Sequence, residues 1–384
     1  SQLVAIMLAL FLLSPVLPSF AGGKKPGSPH LSPLYQGNGN NKSHNAKGKK
    51  ADSWRPAPFA HLREKQEHIR MADNFFVFYD PSTAMTVPYK NTGKTRLEIS
   101  KEILLRSNAT LPELSWQTGL YPHWKNVMWL HGSQKSFHPY YPLQNFDQQK
   151  FGQALAKLPE ISSGPPMLQT SLMKLEHLLG LPGRTEIFLF SNGAASRFEG
   201  VDEPEPLIQA KKLAEKYNVC FTIISSATNK TAEKLLHDIA RVNACSQVID
   251  FDTVYAHPEH LFGRLYMTPD GLFDNVLFAF DKSTIRNKYK KTLNQLGKYL
   301  MENPQHYAVL SGFCDSIGTE KYNLNLSQRR AESAQRYLLK RFPSLSKERV
   351  LLYWYGYAHP IATNQTAAGR RQNRRVTIMI RKGF

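Results

Sequence analysis

Cysteine is scarce in this chain: Cys220, Cys245 and Cys314 are the three in 384 residues. No two lie close together, which argues against a clustered thiolate metal site. After the N-terminal segment no apolar run approaches the ~20 residues that a membrane-spanning helix needs. The ~10-residue alternating segments of a membrane barrel are missing as well, because the middle of the chain reads as helices between apolar strands. Acidic residues are outnumbered, 30 against 49 Lys and Arg, giving a formal charge of +19. Such a surface attracts polyanions, but no nucleic-acid-binding motif accompanies it, so nucleic acid is not an expected partner. Histidines such as His123, His131 and His237 are scattered, without metal-ligand spacing or a nucleophile beside them. His131-Gly132-Ser133 lacks the flanking pattern of a nucleophile elbow, and the acidic run Asp202, Glu203 and Glu205 falls in a Pro-containing loop that faces solvent. No catalytic residue is expected, and the chain reads as a non-enzyme.

What is present divides the chain into four parts. Residues 3–17 are almost unbroken apolar sequence, followed by Pro18-Ser19-Phe20-Ala21 with small residues where a signal peptidase cuts. That predicts a secretory signal peptide over 1–21 and a mature chain without a membrane span. No Cys stands at the cut, which argues against a lipid anchor. Residues 22–69 are rich in Gly, Ser, Asn, Pro and Lys, carry no hydrophobic periodicity and predict a disordered basic leader.

From about residue 70 the pattern changes. Phe75-Phe76-Val77-Phe78-Tyr79, a segment at 127–130, Ile187-Phe188-Leu189-Phe190 and residues 219–224 read as apolar strands. Helix-like stretches at 97–105, 168–179, 207–217 and 231–242 lie between and after them. Apolar strands alternating with helices predict an α/β fold with a mostly parallel sheet covered by helices. Functional residues of such sheets gather at the carboxyl ends of strands, where Asp80 and Asn192 stand. In an exported protein Cys220 and Cys245 can pair as a disulfide, closing a loop of about 25 residues worth ~3 kcal/mol by loop entropy; two small buried thiols are the alternative. Cys314 is left over.

The last third places Asp315 in a Gly-containing loop after a strand, and Asn323 and Arg330 on the helix that follows, expected over 323–341. Leu326, Arg330, Ala334, Tyr337 and Leu338 fall on one side of that helix at three- and four-residue spacing. A carboxylate and a guanidinium brought together in this way suit a zwitterion. These residues, with the opening strand Val276-Leu277-Phe278-Ala279-Phe280-Asp281-Lys282, the helix signature at 322–331, Gly356-Tyr357-Ala358-His359-Pro360 and the closing Asn373-Arg374-Arg375-Val376, resemble the OmpA-like (OmpA/MotB C-terminal) peptidoglycan-binding domain. The resemblance covers about residues 272–384 and implies an α/β sandwich that holds diaminopimelate of the peptidoglycan stem through Asp315, Asn323, Arg330 and Arg374. One departure is visible: Cys314 stands where the family usually has Thr.

Asp80-Pro81-Ser82-Thr83-Ala84-Met85, with Ser191-Asn192-Gly193 later, resembles a von Willebrand factor A domain over about residues 70–268. That family holds a divalent cation by a DxSxS loop, a Thr and an Asp. Asp80 and Ser82 match, whereas Ala84 and Asn192 replace two ligands and Ser163-Gly164-Pro165-Pro166 offers no Thr. The expectation is therefore a degenerate site, no cofactor, and a middle domain that presents a surface to a protein partner. Together the resemblances imply a periplasmic protein, associated with the cell wall and outer membrane, that tethers an assembly to peptidoglycan. A stator-like inner-membrane component and a wall-acting hydrolase are the alternatives.

Overall fold

The run Phe75-Phe76-Val77-Phe78-Tyr79 has no polar side, so it is stable only as a strand covered on both faces. That is where it lies in a computed structural model of the chain, which describes residues 68–123, 138–194, 205–268 and 272–383. The elements begin with β1 (Ile69–Arg70), β2 (Asn74–Tyr79), α1 (Arg96–Asn108), β3 (Gln117–Pro122), β4 (Tyr141–Asn145), α2 (Gln148–Ala156) and α3 (Leu168–Lys174). They continue through β5 (Thr185–Ser191), α4 (Pro206–Lys216), β6 (Val219–Ser225), α5 (Lys230–Ala240), β7 (Gln247–Asp250), α6 (Phe251–Ala256) and β8 (Tyr266–Met267). The remainder is β9 (Val276–Leu277), α7 (Asn287–Glu302), β10 (His306–Gly312), α8 (Glu320–Arg341), β11 (Val350–Trp354), α9 (Ala367–Asn373) and β12 (Arg375–Lys382).

The larger sheet has the order β4-β3-β2-β5-β6-β7. Every pairing is parallel except β3 with the edge strand β4. Alternation along each strand divides its side chains between two cores. Phe75, Val77, Tyr79, Phe188 and Phe190 enter one with helix α1, while Phe76, Phe78, Ile187 and Leu189 enter the other with α3, α4 and α5. The strand order reverses between β2 and β5, so the loops after those strands open a crevice at their carboxyl ends. Cys220 and Cys245 form a disulfide beneath this sheet's far side.

The smaller sheet has the order β11-β10-β12-β9, with β10 parallel to β11 and antiparallel to β12. Helices α7 and α8 cover one face through Leu293, Leu296, Leu300, Ala334 and Leu338, packed on Ala308, Leu310 and Ile378. The other face, bearing Tyr307, Val309, Tyr353 and Met379, meets Met71 and Met267 of the β1–β8 ribbon. Both ends of the 69–267 stretch therefore seat the smaller sheet.

Three expectations need correction. The strand read at 276–282 pairs only over Val276–Leu277, because the chain turns at Asp281, whose φ is +53°. The helix read from 323 starts earlier, capped by the Thr319 hydroxyl. Third, strands β3 and β4 occupy stretches in which no strand was expected; the segment 127–130, the signal peptide at 1–21 and nearly all of the 22–69 leader lie outside the described residues. Among the described residues no helix is long and apolar enough to cross a membrane.

Candidate functional site

The loop after β10 leaves the sheet at Gly312, where a Cβ would lie 2.0 Å from the Ser327 carbonyl of α8. Only glycine permits that approach, and it presses the start of α8 onto the strand end. Ser327 then accepts from the Gly356 N–H, and the Cys314 N–H donates to the Gly356 carbonyl, so loop 313–318 is held against both α8 and the turn after β11.

Asp315, 3% exposed, stands at the centre of this loop. Its Oδ1 accepts from the Ile317 N–H at 3.2 Å, and its Oδ2 pairs with Arg374 Nη1 at 2.7 Å. Arg374 also donates from Nε to the Phe278 carbonyl, which ties the end of α9 to the residues after β9. Asn323, 1% exposed, donates from Nδ2 to the Ile317 carbonyl and so closes the loop from the helix side.

Arg330 is fully buried. It donates from Nε to the Lys282 carbonyl, from Nη1 to the Phe313 carbonyl and the Cys314 sulfur, and from Nη2 to the Ala279 carbonyl. Four of its five N–H donors thus meet protein acceptors among the described residues, and the guanidinium lies over the Phe278 ring. Burial disfavours its charge and pulls its pKa down, with the neighbouring Cys314 opposing that shift. Burial likewise pushes the Cys314 thiol up to about 11, so the sulfur keeps its proton and donates it to the Asn323 carbonyl. The structure therefore brings Asp315, Asn323, Arg330 and Arg374 into one hydrogen-bonded cluster. Arg330 braces the loop there as well as carrying charge.

Two asparagines to which the sequence reading gave no role of their own shape the same site. Asn373, fully buried, accepts from the Ile361 and Ala362 N–H groups and donates to the Ala362 carbonyl and Asn364 Oδ1. Asn364 in turn accepts from the Ser316 N–H beside Asp315. The closing Asn373-Arg374 pair so serves both walls, and the spacing of its loop partners gave no signal in advance. Phe280, Ile317, Tyr322 and Tyr357 are exposed on the elements around the cluster. One carboxylate and two guanidiniums gathered in this way can take a small ligand that carries both charges.

The crevice of the larger sheet is different. Asp80 and Asn192 follow β2 and β5 and stand at the carboxyl edge as expected, and His123, after β3, joins them there. Asp80 Oδ1 accepts from the Ser82 N–H, and Ser82 Oγ is buried without a hydrogen-bond partner among the described residues. Asn192 Oδ1 accepts from the Ala194 N–H, while Nδ2 reaches toward the Ala84 carbonyl at 3.5 Å. A hard divalent cation needs several oxygens and more than one charge. Asp80 and Ser82 alone supply too little, because Asn192 turns its oxygen to the backbone and Ala84 has none to offer.

Residues 277–374 match the model of the OmpA family. Outer membrane protein A of Bordetella avium is 36% identical over 123 residues, 32% of this chain and 60% of that protein. The peptidoglycan-associated lipoprotein of Legionella pneumophila is 33% identical over 114 residues, 30% of this chain and 64% of that protein. The crystal structure of the peptidoglycan-associated lipoprotein from Burkholderia pseudomallei is 31% identical and covers 28% of this chain and 89% of that one, with a TM-score of 0.27. The chain covers less than two thirds of the length of these curated relatives.

Proposed function

We propose, from the premise of an OmpA-like domain at the C terminus, that the chain binds peptidoglycan reversibly and without chemistry, through diaminopimelate of the stem peptide. The observation that carries the reading is the gathering of Asp315, Asn323, Arg330 and Arg374 round one loop inside the matched region. In this reading the ligand ammonium lies against Asp315, and its carboxylate meets Arg374 and the remaining Nη2 proton of Arg330. Asn323 holds the loop that presents Asp315. Relatives named for the outer membrane and for association with peptidoglycan support the same ligand and a periplasmic site beside the wall and outer membrane. The apolar run at residues 3–17 supports export, with 1–21 as the signal peptide and 22–69 as a basic spacer.

The middle of the chain, about residues 70–268, is in this reading a metal-free relative of the A domain that presents a surface to a protein partner. Its mostly parallel sheet and the placing of Asp80, Ser82 and Asn192 at one edge support that assignment. The whole then tethers a partner to the wall.

The test is co-sedimentation of the purified chain with sacculi at raised ionic strength, alongside Asp315→Asn and with free diaminopimelate as competitor. Asn keeps the acceptor for the Ile317 N–H and removes the charge. Binding lost in the variant and displaced by diaminopimelate is the expected outcome. If the variant sediments as the parent does and the amino acid displaces neither, the assignment is wrong.

A further inference from the structure

The turn after α6 reads His257-Pro258-Glu259-His260 and closes as one turn of 3-10 helix over Pro258–His260. It lies outside the wall-binding cluster, and nothing in that reading uses it. One ligand atom from each of His257, Glu259 and His260 falls within 4.8 Å of the other two. His257 Nδ1 stands 3.4 Å from Glu259 Oε1. Two donors held ~2.0–2.1 Å from a tetrahedral ion are themselves about 3.4 Å apart, so this edge already has the required length. The two imidazole rings are stacked with centroids 4.8 Å apart and planes 12° from parallel.

Burial supplies a second, independent observation. Glu259 and His260 are 4% and 3% exposed, yet Glu259 Oε2 and both ring nitrogens of His260 have no hydrogen-bond partner among the described residues. Buried polar atoms of folded proteins are nearly always partnered. Two of these atoms, Glu259 Oε2 and the ring nitrogen of His260 that carries no proton, offer lone pairs to a ligand that accepts electron pairs. His257, with 37% of its side chain exposed, leaves a way in from solvent.

We propose that His257, Glu259 and His260 bind a zinc-type dication, with solvent in the fourth position. Two imidazoles and one carboxylate form a nitrogen-rich set suited to a borderline transition metal, whereas magnesium and calcium require mostly oxygen. Arg381 packs close enough to His260 to oppose a cation, although its Nη1 and Nη2 donate to the Gly263 and Tyr266 carbonyls. The His260 ring meets that of Tyr307 on β10 at 5.5 Å between centroids, tilted by 58°, and Glu259 Oε1 lies beside Gly383 beyond β12. The ion consequently fixes the turn where the larger sheet's connections meet the smaller sheet.

The experiment uses the full chain, stripped with chelator, titrated with Zn²⁺ and separately with Co²⁺, with Mg²⁺ as control. The chain holds 13 histidines, so variants decide the location. His257→Ala removes a half-exposed ligand and Glu259→Gln keeps the shape of a buried one; the far-UV spectrum and metal-free melting temperature establish that each is folded. The expected result is one Zn²⁺ per parent chain, an intense visible Co²⁺ band of four-coordinate geometry, no response to Mg²⁺, and at least tenfold weaker binding with loss of the band in each folded variant. Zinc that fails to bind below millimolar concentration overturns the proposal. So does a folded His257→Ala or Glu259→Gln chain that keeps the parent's affinity and Co²⁺ band.

Discussion

Charge at single buried residues decides how the C-terminal cluster works. Asp315 is the ligand-facing carboxylate in this account, and its loss leaves the Arg374 guanidinium without its 2.7 Å partner. Asp315→Asn is expected to weaken binding of a diaminopimelate peptide by about 2–4 kcal/mol, a range typical of truncating one partner of a buried charge pair. Direct titration checks this. Arg330→Ala is expected to act differently, because it removes two bonds to loop 313–318 and two to the segment 279–282 as well as the ligand contact. It should lower stability by about 3–5 kcal/mol, the cost of breaking a buried ionic network, and denaturant unfolding separates that from lost affinity. The placing of Asp315 in the loop and of Arg330 on the following helix was legible in the sequence, but the bracing by Arg330 was not, since backbone carbonyls leave no trace in sequence. Residue-scale reading also extends to acid. His123 is buried at the crevice edge, and burial lowers its pKa from 6.5, with Asp80 opposing the shift. Below pH 6.5 the unfolded chain takes up a proton that the folded chain refuses, so the unfolded state binds more protons and stability falls as pH falls. The slope from such a group is at most about 1.4 kcal/mol per pH unit. His123→Gln should flatten the dependence of the unfolding midpoint on pH below 6.5. An unchanged slope would show that His123 is protonated in the folded state.

At the scale of elements, the close seating of α8 on β10 positions Asn323 and Arg330. Gly312→Ala would place a Cβ against the Ser327 carbonyl, and backbone cannot step aside as a side chain tip can. A loss of about 1–3 kcal/mol is expected, as for other overpacked sites, together with weaker ligand binding, because the helix must move. Denaturation and titration of the same variant check both. The Cys220–Cys245 disulfide closes a separation of 25 residues, worth about 3 kcal/mol by loop entropy, and the double Ala variant should lose an amount of that order. Element legibility followed burial. Strands buried on both faces, such as β2 and β5, announced themselves as apolar runs. The edge strand β4 has four exposed residues of its five and reads as loop. Strand β3 contains Gly119 and ends on Pro122, which masked it as a turn.

For the whole molecule, the notable feature is how firmly the smaller sheet is seated on the rest. Trp354 Nε1 donates to the Ala244 carbonyl, Tyr355 to the Arg264 carbonyl, and Arg381 to those of Gly263 and Tyr266. Arg264 continues inward to the Cys245 carbonyl and to Glu186. These contacts join residues far apart in sequence, which is why no local pattern foretold them. They imply a single cooperative unfolding transition for residues 68–383, and Trp354→Ala should split it in a calorimetric scan. A parent that already melts in two steps would contradict the coupling. The +19 charge acts at this scale also, since it attracts any anionic polymer at low salt. Sedimentation with sacculi can therefore report attraction as well as recognition. The more direct measurement is calorimetric titration of the full chain, at raised ionic strength, with a stem peptide containing diaminopimelate and with the same peptide containing lysine, which lacks the second carboxylate. The account expects saturable one-to-one binding of the first and none of the second. Equal binding of the two, or binding of neither, would contradict it.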